Sequence, residues 1–295
     1  MNTYFYRVAG FLFSVNLPAK YNILKLLPSF VPFQCEPEVD EQLLFRFCSV
    51  EELSERGTPL WQEESENDFG YTTLMQVVDG FRCQIHFTTN GVIHEMACNA
   101  DFSEVRAVLH WEDRFLDSVL CSMLRIVFSQ AILPFGAVSL HASVVMHQQK
   151  GYLFMGKSGT GKSTHSALWV RAIPDTELLN DDNPILRLEG DFVKVYGSPW
   201  SGKTPCYRNA SCRVGGLVRL RQAKQNQYHS QHDVQALVQV LPGCSVIRNV
   251  PRLYNGACDT LIQVIAKVPV GLLDCLPTVE AAECCHKALC ENPSL

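Results

Sequence analysis

No stretch restricts this chain more than Gly156-Lys157-Ser158-Gly159-Thr160-Gly161-Lys162-Ser163, which satisfies G-x-x-x-x-G-K-[ST] without a gap. Residues 151–155 before it are apolar and strand-like, and residues 164–170 after it can continue as a helix. That context predicts a strand, a glycine loop and a helix, in which the glycines let successive amides turn inward around an anion. The helix N-terminus then adds its dipole behind the phosphates. On this reading Gly156, Lys157, Ser158, Gly159, Thr160, Gly161, Lys162, Ser163 and Thr164 hold a nucleotide. Lys162 reaches its β- and γ-phosphates, and the Ser163 hydroxyl sits on Mg²⁺. The plain alternative is a glycine-rich turn with a chance lysine, and the complete motif with both flanks outweighs it.

A second polar cluster follows at the expected distance. Asn180-Asp181-Asp182-Asn183 ends an apolar run after the predicted helix. Phosphoryl transfer needs one carboxylate to help hold Mg²⁺ and another to take a proton from the attacking hydroxyl. Side chains alternate along a strand, so the two aspartates face different neighbours. A polar turn is the alternative. Further on, Gly197-Ser198-Pro199-Trp200-Ser201-Gly202-Lys203-Thr204-Pro205 gathers hydroxyls, a cation and an aromatic ring. Ser198, Trp200, Ser201 and Lys203 are candidate substrate contacts, with Trp200 as a stacking or lid residue; a structural turn is the competing reading.

Composition narrows the classes. With a net charge of −5 and no long basic run, the chain lacks the electrostatic footprint of a nucleic-acid binder. Thirteen cysteines, odd in number, scattered and without C-x-x-C, read as reduced thiols, not as a disulfide framework. No apolar run reaches the ~18 residues of a membrane span. These features together predict a cytoplasmic protein without membrane or nucleic-acid partners. His229-x-x-His232 has no further ligand at metal spacing and reads as a polar loop.

Along the chain, residues 1–110 read as a β-rich domain. It starts with one strand in residues 1–15 and continues with strands over 43–50, 71–78, 81–88 and 91–97. Asp79-Gly80 and Asn90-Gly91 supply hairpin turns, and the acidic residues 58–68 read as a loop. Phe115, Val119, Leu120, Met123, Ile126 and Val127 recur at helical spacing and predict a connecting helix within 111–136, ended by Pro134 and Gly136. Residues 137–295 then form an α/β nucleotide-binding domain, with strands at 138–146, 185–188, 192–196 and 214–220, helices near 232–241, 253–267 and 278–289, and a further strand at 268–273. His141 falls on the 138–146 strand, next to the glycine loop, where a histidine is more often a core residue than a catalytic one.

Leu140-His141-Ala142, the glycine loop and Asn180-Asp181-Asp182-Asn183, in that order, resemble the catalytic domain of bacterial HPr kinase/phosphorylase and the wider set of HPr-kinase-like proteins. The resemblance covers about residues 137–201. It implies a mixed-sheet P-loop fold shared with phosphoenolpyruvate carboxykinase. It also implies an ATP- and Mg²⁺-dependent kinase whose acceptor is a hydroxyl on a peptide, a protein or a small metabolite. Carried over by position, His141 assists near the transferred phosphoryl group, Lys162 and Ser163 bind phosphate and metal, Asp182 is the general base and Asp181 the metal-side partner, though the two can exchange roles. Homo-oligomers occur in the resembling family. Thr164 stands where those kinases carry glutamate, and the Glu-Arg-Gly signature after the aspartates is absent, so phosphorylase activity and HPr as substrate do not carry over. A regulatory or scaffold protein that binds nucleotide without transfer is the second reading.

Overall fold

The computed structural model describes residues 1–54, 57–67, 70–202 and 204–291, in two compact units, 1–132 and 133–295. Both are α/β, and each is built on a mixed sheet.

The first unit holds an eight-stranded sheet in the order β1-β2-β3-β8-β7-β6-β5-β4. Its strands are β1 Asn2–Val8, β2 Phe11–Leu17, β3 Phe45–Val50, β4 Trp61–Asn67, β5 Gly70–Val77, β6 Gly80–His86, β7 His94–Asn99 and β8 Glu104–Val108. The N-terminus is a hairpin, not one strand, because Ala9 and Gly10 both take positive φ and fold β1 onto β2. The acidic segment read as a loop is the edge strand β4, paired antiparallel with β5. Its glutamates 63, 64 and 66 are exposed, so it shows no apolar alternation, and charge on an edge also discourages further strand pairing. A short helix α1, Ile23–Leu26, precedes β3, and the long helix α2 spans Leu116–Ala131. It starts at Leu116, just inside the predicted segment, after a turn in which the Asp113 carboxylate accepts from the Phe115 amide.

The second unit contains nine strands. A path β12-β10-β11-β15-β14-β13-β9 is extended by β17 on β15 and β16 on β17. The strands are β9 Ala137–Ser139, β10 Ala142–His147, β11 Lys150–Met155, β12 Thr176–Asp182, β13 Ile185–Glu189, β14 Phe192–Tyr196, β15 Ser211–Gln222, β16 Gln227–Gln231 and β17 Val270–Cys275. The pairs β11–β15 and β15–β17 are parallel. The predicted 138–146 strand is broken at Leu140-His141. There the His141 amide donates to Gly243 O at 2.7 Å and the Leu140 amide to Pro184 O at 3.1 Å, so the backbone leaves the sheet between β9 and β10. The His229 segment is also not a loop: it is β16, antiparallel to β17.

Helix α3, Lys162–Ala172, lies on one face of this sheet beside α6, Val279–His286. Helix α4, Asp233–Val240, meets the other face, where Arg219 donates to Gln239 O at 3.0 Å; α5, Pro251–Ile265, packs beside it. Tyr152, Phe154, Val218 and Leu220 point toward α3 and α6, where they enclose Trp169 and Cys285. Ser, Thr and His in the first turns of α3 cost it roughly 2 kcal/mol of propensity relative to alanine. Full burial of Trp169 contributes on the order of 4–6 kcal/mol as an upper figure, so packing holds this helix in place. Cys285 is fully buried while Cys284 is only half-buried, as a helical repeat requires. Among the described residues, no helix is long and apolar enough to cross a membrane.

Candidate functional site

The glycine loop runs from the end of β11 to α3. Gly159 and Gly161 have φ of 78° and 104°, and a Cβ on either would meet nothing within 4 Å. Backbone conformation, not crowding, is what demands glycine here. The loop closes on itself through Thr160 N to Lys157 O at 3.1 Å. Gln222, at the end of β15, braces it with its side-chain amide 3.3 Å from Gly159 O. The first turn of α3 carries no acidic residue to neutralise its dipole, and its amides lack intrahelical acceptors.

Lys162 occupies the first position of α3, where a cation opposes the dipole. Its ammonium is 2.7 Å from His141 Nε2 and 3.2 Å from Gly156 O. Burial pushes the Lys162 pKa down, and the nearby carboxylates of Asp182 and Asp181 counter that shift. His141 Nδ1 lies 2.9 Å from Asp182 Oδ1. With Lys162 donating to Nε2, the Nδ1 proton points to Asp182, so the hydrogen-bond chain assigns the tautomer. Asp182 Oδ2 accepts from the Asn183 side-chain amide at 2.5 Å.

One strand residue earlier, Asp181 faces a different neighbour. The Ser163 hydroxyl donates to Asp181 Oδ1 at 3.0 Å, while Oδ2 is buried with no hydrogen-bond partner among the described residues. A buried carboxylate oxygen without a partner is costly and fits a place prepared for a cation. Asp182 itself has φ of 144°. For a non-glycine residue such a backbone costs on the order of 1–3 kcal/mol and must be held by its surroundings.

Asn180 does much of that holding. It is fully buried, its amide lies 3.2 Å from both Ser198 O and Trp200 O, and its carbonyl accepts from Asn183 N at 3.1 Å. Gly202 N also donates to Asp181 O, and the Ser201 hydroxyl lies 3.1 Å from the same oxygen. The second loop is therefore a brace for the aspartates. This corrects two of the expected substrate contacts: Ser198 is wholly buried, and Trp200, at 4% exposed, is packed into the brace and not placed as a lid. Ser201 is half-buried, and Lys203 lies outside the described residues. The bracing asparagines could have been found in the sequence from their place on either side of the aspartates; Gln222 left no such signal.

His141, Lys162, Ser163, Asp181 and Asp182 thus converge at one end of the second sheet, with Gly156, Lys157, Ser158, Gly159, Thr160, Gly161 and Thr164 around them on the loop and the start of α3. Beside the loop, a cavity of about 370 Å³ is lined by Thr160, Thr164, Gln222, Leu276 and Pro277 among others. A larger cavity of about 520 Å³ lies at the far end of α3, bordered by Gln148, Arg171 and Thr176, away from these groups.

Fold and site define a mixed α/β protein of two mixed sheets, with a lysine, a histidine and two carboxylates grouped at a glycine-rich strand–helix turn. No protein-family model matches the chain, and no curated protein matches it in sequence. Among solved structures, the HPr(Ser) kinase/phosphatase from Coxiella burnetii is similar over 50% of this chain and 88% of that one, at 14% identity and a TM-score of 0.31. A likeness at that level carries no argument about activity.

Proposed function

We propose that this chain is a phosphotransferase of the HPr-kinase-like P-loop type, transferring the γ-phosphoryl of Mg-ATP to a hydroxyl of a peptide, a protein or a small metabolite. The observation that carries the reading is the continuous chain Lys162–His141–Asp182 beside the separate pair Ser163–Asp181. Two carboxylates with different partners support different roles, Asp181 on the metal side and Asp182 on the acceptor side. Mg²⁺, when bound, would screen the phosphate charges; Ser163 and the unpartnered oxygen of Asp181 are the groups that would hold it.

Lys162 exchanges the carbonyls of Gly156 and Lys157 for phosphate oxygens when nucleotide enters the loop. Asp182, oriented by His141 and Asn183, accepts the proton of the attacking hydroxyl as the new P–O bond forms and the bond to the β-phosphate breaks. His141, with 37% of its side chain exposed, stands at the mouth of the group and donates to Asp182, which keeps that carboxylate in place. The 370 Å³ cavity beside the loop is open to the nucleoside.

The test is transfer of labelled γ-phosphate to candidate acceptors by purified protein, compared with Asp182→Asn. Asparagine matches the native side chain in size and keeps an acceptor for His141, so the variant folds; loss of a general base lowers transfer by about 10²–10⁴. Equal transfer by both proteins refutes the assignment of Asp182. Tight Mg-ATP binding without transfer to any acceptor favours the regulatory or scaffold reading.

A further inference from the structure

At the opposite end of β10 from the glycine loop, roughly 17 Å away at strand rise, three side chains from distant parts of the second unit meet. His147 is the last residue of β10, His286 the last of α6, and Cys290 lies in the wide helical turn Lys287–Glu291 that follows. Their donor atoms all lie within 4.8 Å of one another. We propose that His147, His286 and Cys290 form a binding site for one borderline-soft divalent cation of the zinc class.

The hydrogen bonding around the cluster prepares it for that use. The Thr176 hydroxyl is 3.4 Å from Pro174 O, to which it donates, and 3.1 Å from His147 Nδ1, from which it can accept. Placing the His147 proton on Nδ1 leaves the Nε2 lone pair aimed at His286 Nε2, 3.3 Å away. An oxygen partner on the second ring nitrogen is the usual way a metal-binding histidine is oriented. On the far side of the other ring, Glu291 Oε1 lies 3.7 Å from His286 Nδ1 and favours a proton there as well. Two Nε2 lone pairs then face each other, an arrangement that a shared cation relieves. Cys290 Sγ lies 3.1 Å from the Tyr152 hydroxyl and is half-buried.

Donor chemistry selects the ion. Two imidazoles and a thiolate favour zinc over magnesium or calcium, which take oxygen ligands. Around tetrahedral zinc the donor atoms stand about 3.3–3.6 Å apart. The two Nε2 atoms already stand 3.3 Å apart, and Cys290 Sγ closes from within 4.8 Å. Binding replaces the Cys290 thiol proton with the metal and leaves a fourth position for water. His147 is 4% exposed and packs 6.4 Å from the Trp169 ring, so the ion would tie the C-terminal turn to the sheet and to α3.

The test uses the full chain and Co²⁺ alone, with Zn²⁺ as competitor. One equivalent of cobalt should give intense tetrahedral visible bands and a thiolate charge-transfer band, both removed by zinc, and zinc should raise the thermal midpoint. Cys290→Ser should abolish the charge-transfer band, and His286→Gln should weaken cobalt affinity at least tenfold. Both residues are partly exposed, so urea midpoints without metal can confirm that the variants fold. Cys284→Ser, next to but outside the cluster, should leave both readouts unchanged. Only weak octahedral bands, no saturation at one equivalent, or a charge-transfer band that survives Cys290→Ser would each overturn the proposal. None of these readouts depends on nucleotide binding or transfer, so the result stands apart from the fate of the kinase reading.

Discussion

The Ser163 hydroxyl donates to one oxygen of Asp181 at 3.0 Å, and the other oxygen of that carboxylate is buried without a partner among the described residues. One helix residue and one strand residue therefore share a half-satisfied polar contact next to the glycine loop.

If this pair holds Mg²⁺, then Ser163→Ala should reduce the affinity for Mg-ATP much more than the affinity for ATP in chelator. Calorimetric titration with and without magnesium measures both. Combining Ser163→Ala with Asp181→Asn should cost less than the sum of the two, since both act on one ion. An unchanged magnesium dependence in the single variants would remove them from the metal site.

Asn180→Ala should destabilise the second unit by about 2–4 kcal/mol, because the Ser198 and Trp200 carbonyls and the Asn183 amide each lose their hydrogen bond to Asn180. The strained backbone of Asp182 depends on the same brace, so transfer should fall further than nucleotide affinity does. Denaturant unfolding gives the first quantity and initial rates at saturating nucleotide the second.

Gly161→Ala meets no steric obstacle, yet alanine at φ 104° costs about 1–2 kcal/mol. A fall in Tm of roughly 2–8 °C is expected. Nucleotide affinity should drop as well, because relaxation of φ turns amides away from the loop interior. A variant with wild-type Tm and affinity would show that the loop does not need this conformation.

His165 is buried in α3, accepts from the Trp169 indole at 3.2 Å and packs edge-on to Phe154. Burial lowers its pKa from 6.5 to about 4. The unfolded chain takes up this proton first as pH falls, so the stability from the neutral ring is fully present above pH 6.5 and is lost between 6.5 and about 4. The shift corresponds to about 3 kcal/mol across that window. His165→Gln keeps an acceptor for Trp169 and should flatten the acid limb of a urea-midpoint-versus-pH curve. A curve parallel to that of the wild type would mean that His165 takes up its proton at the same pH in the folded and the unfolded chain.

Much was legible in the sequence where the signal is local. Strand, glycine loop and helix at 151–172 follow from contiguous residues, as does the 185–196 hairpin, since backbone conformation is a short-range property. Segments whose structure depends on a distant partner were not legible. The acidic edge strand β4 has no apolar alternation of its own and exists because β5 offers hydrogen bonds. The break at Leu140-His141 arises because Gly243 and Pro184, far along the chain, take its amides out of the sheet.

By itself, then, the sequence determined which chemical groups this protein owns and which of them lie near each other along the chain: a glycine-rich loop with its lysine and serine, and a carboxylate pair. Only the tertiary structure decided how those groups divide. It set Asp181 against Ser163 and Asp182 against His141, turned Ser198 and Trp200 inward, and brought His147 within 3.3 Å of His286, 139 residues later. The reason is physical: covalent spacing controls neighbours a few residues apart, whereas contacts between remote side chains are set by how sheets pair and how helices bury their apolar faces.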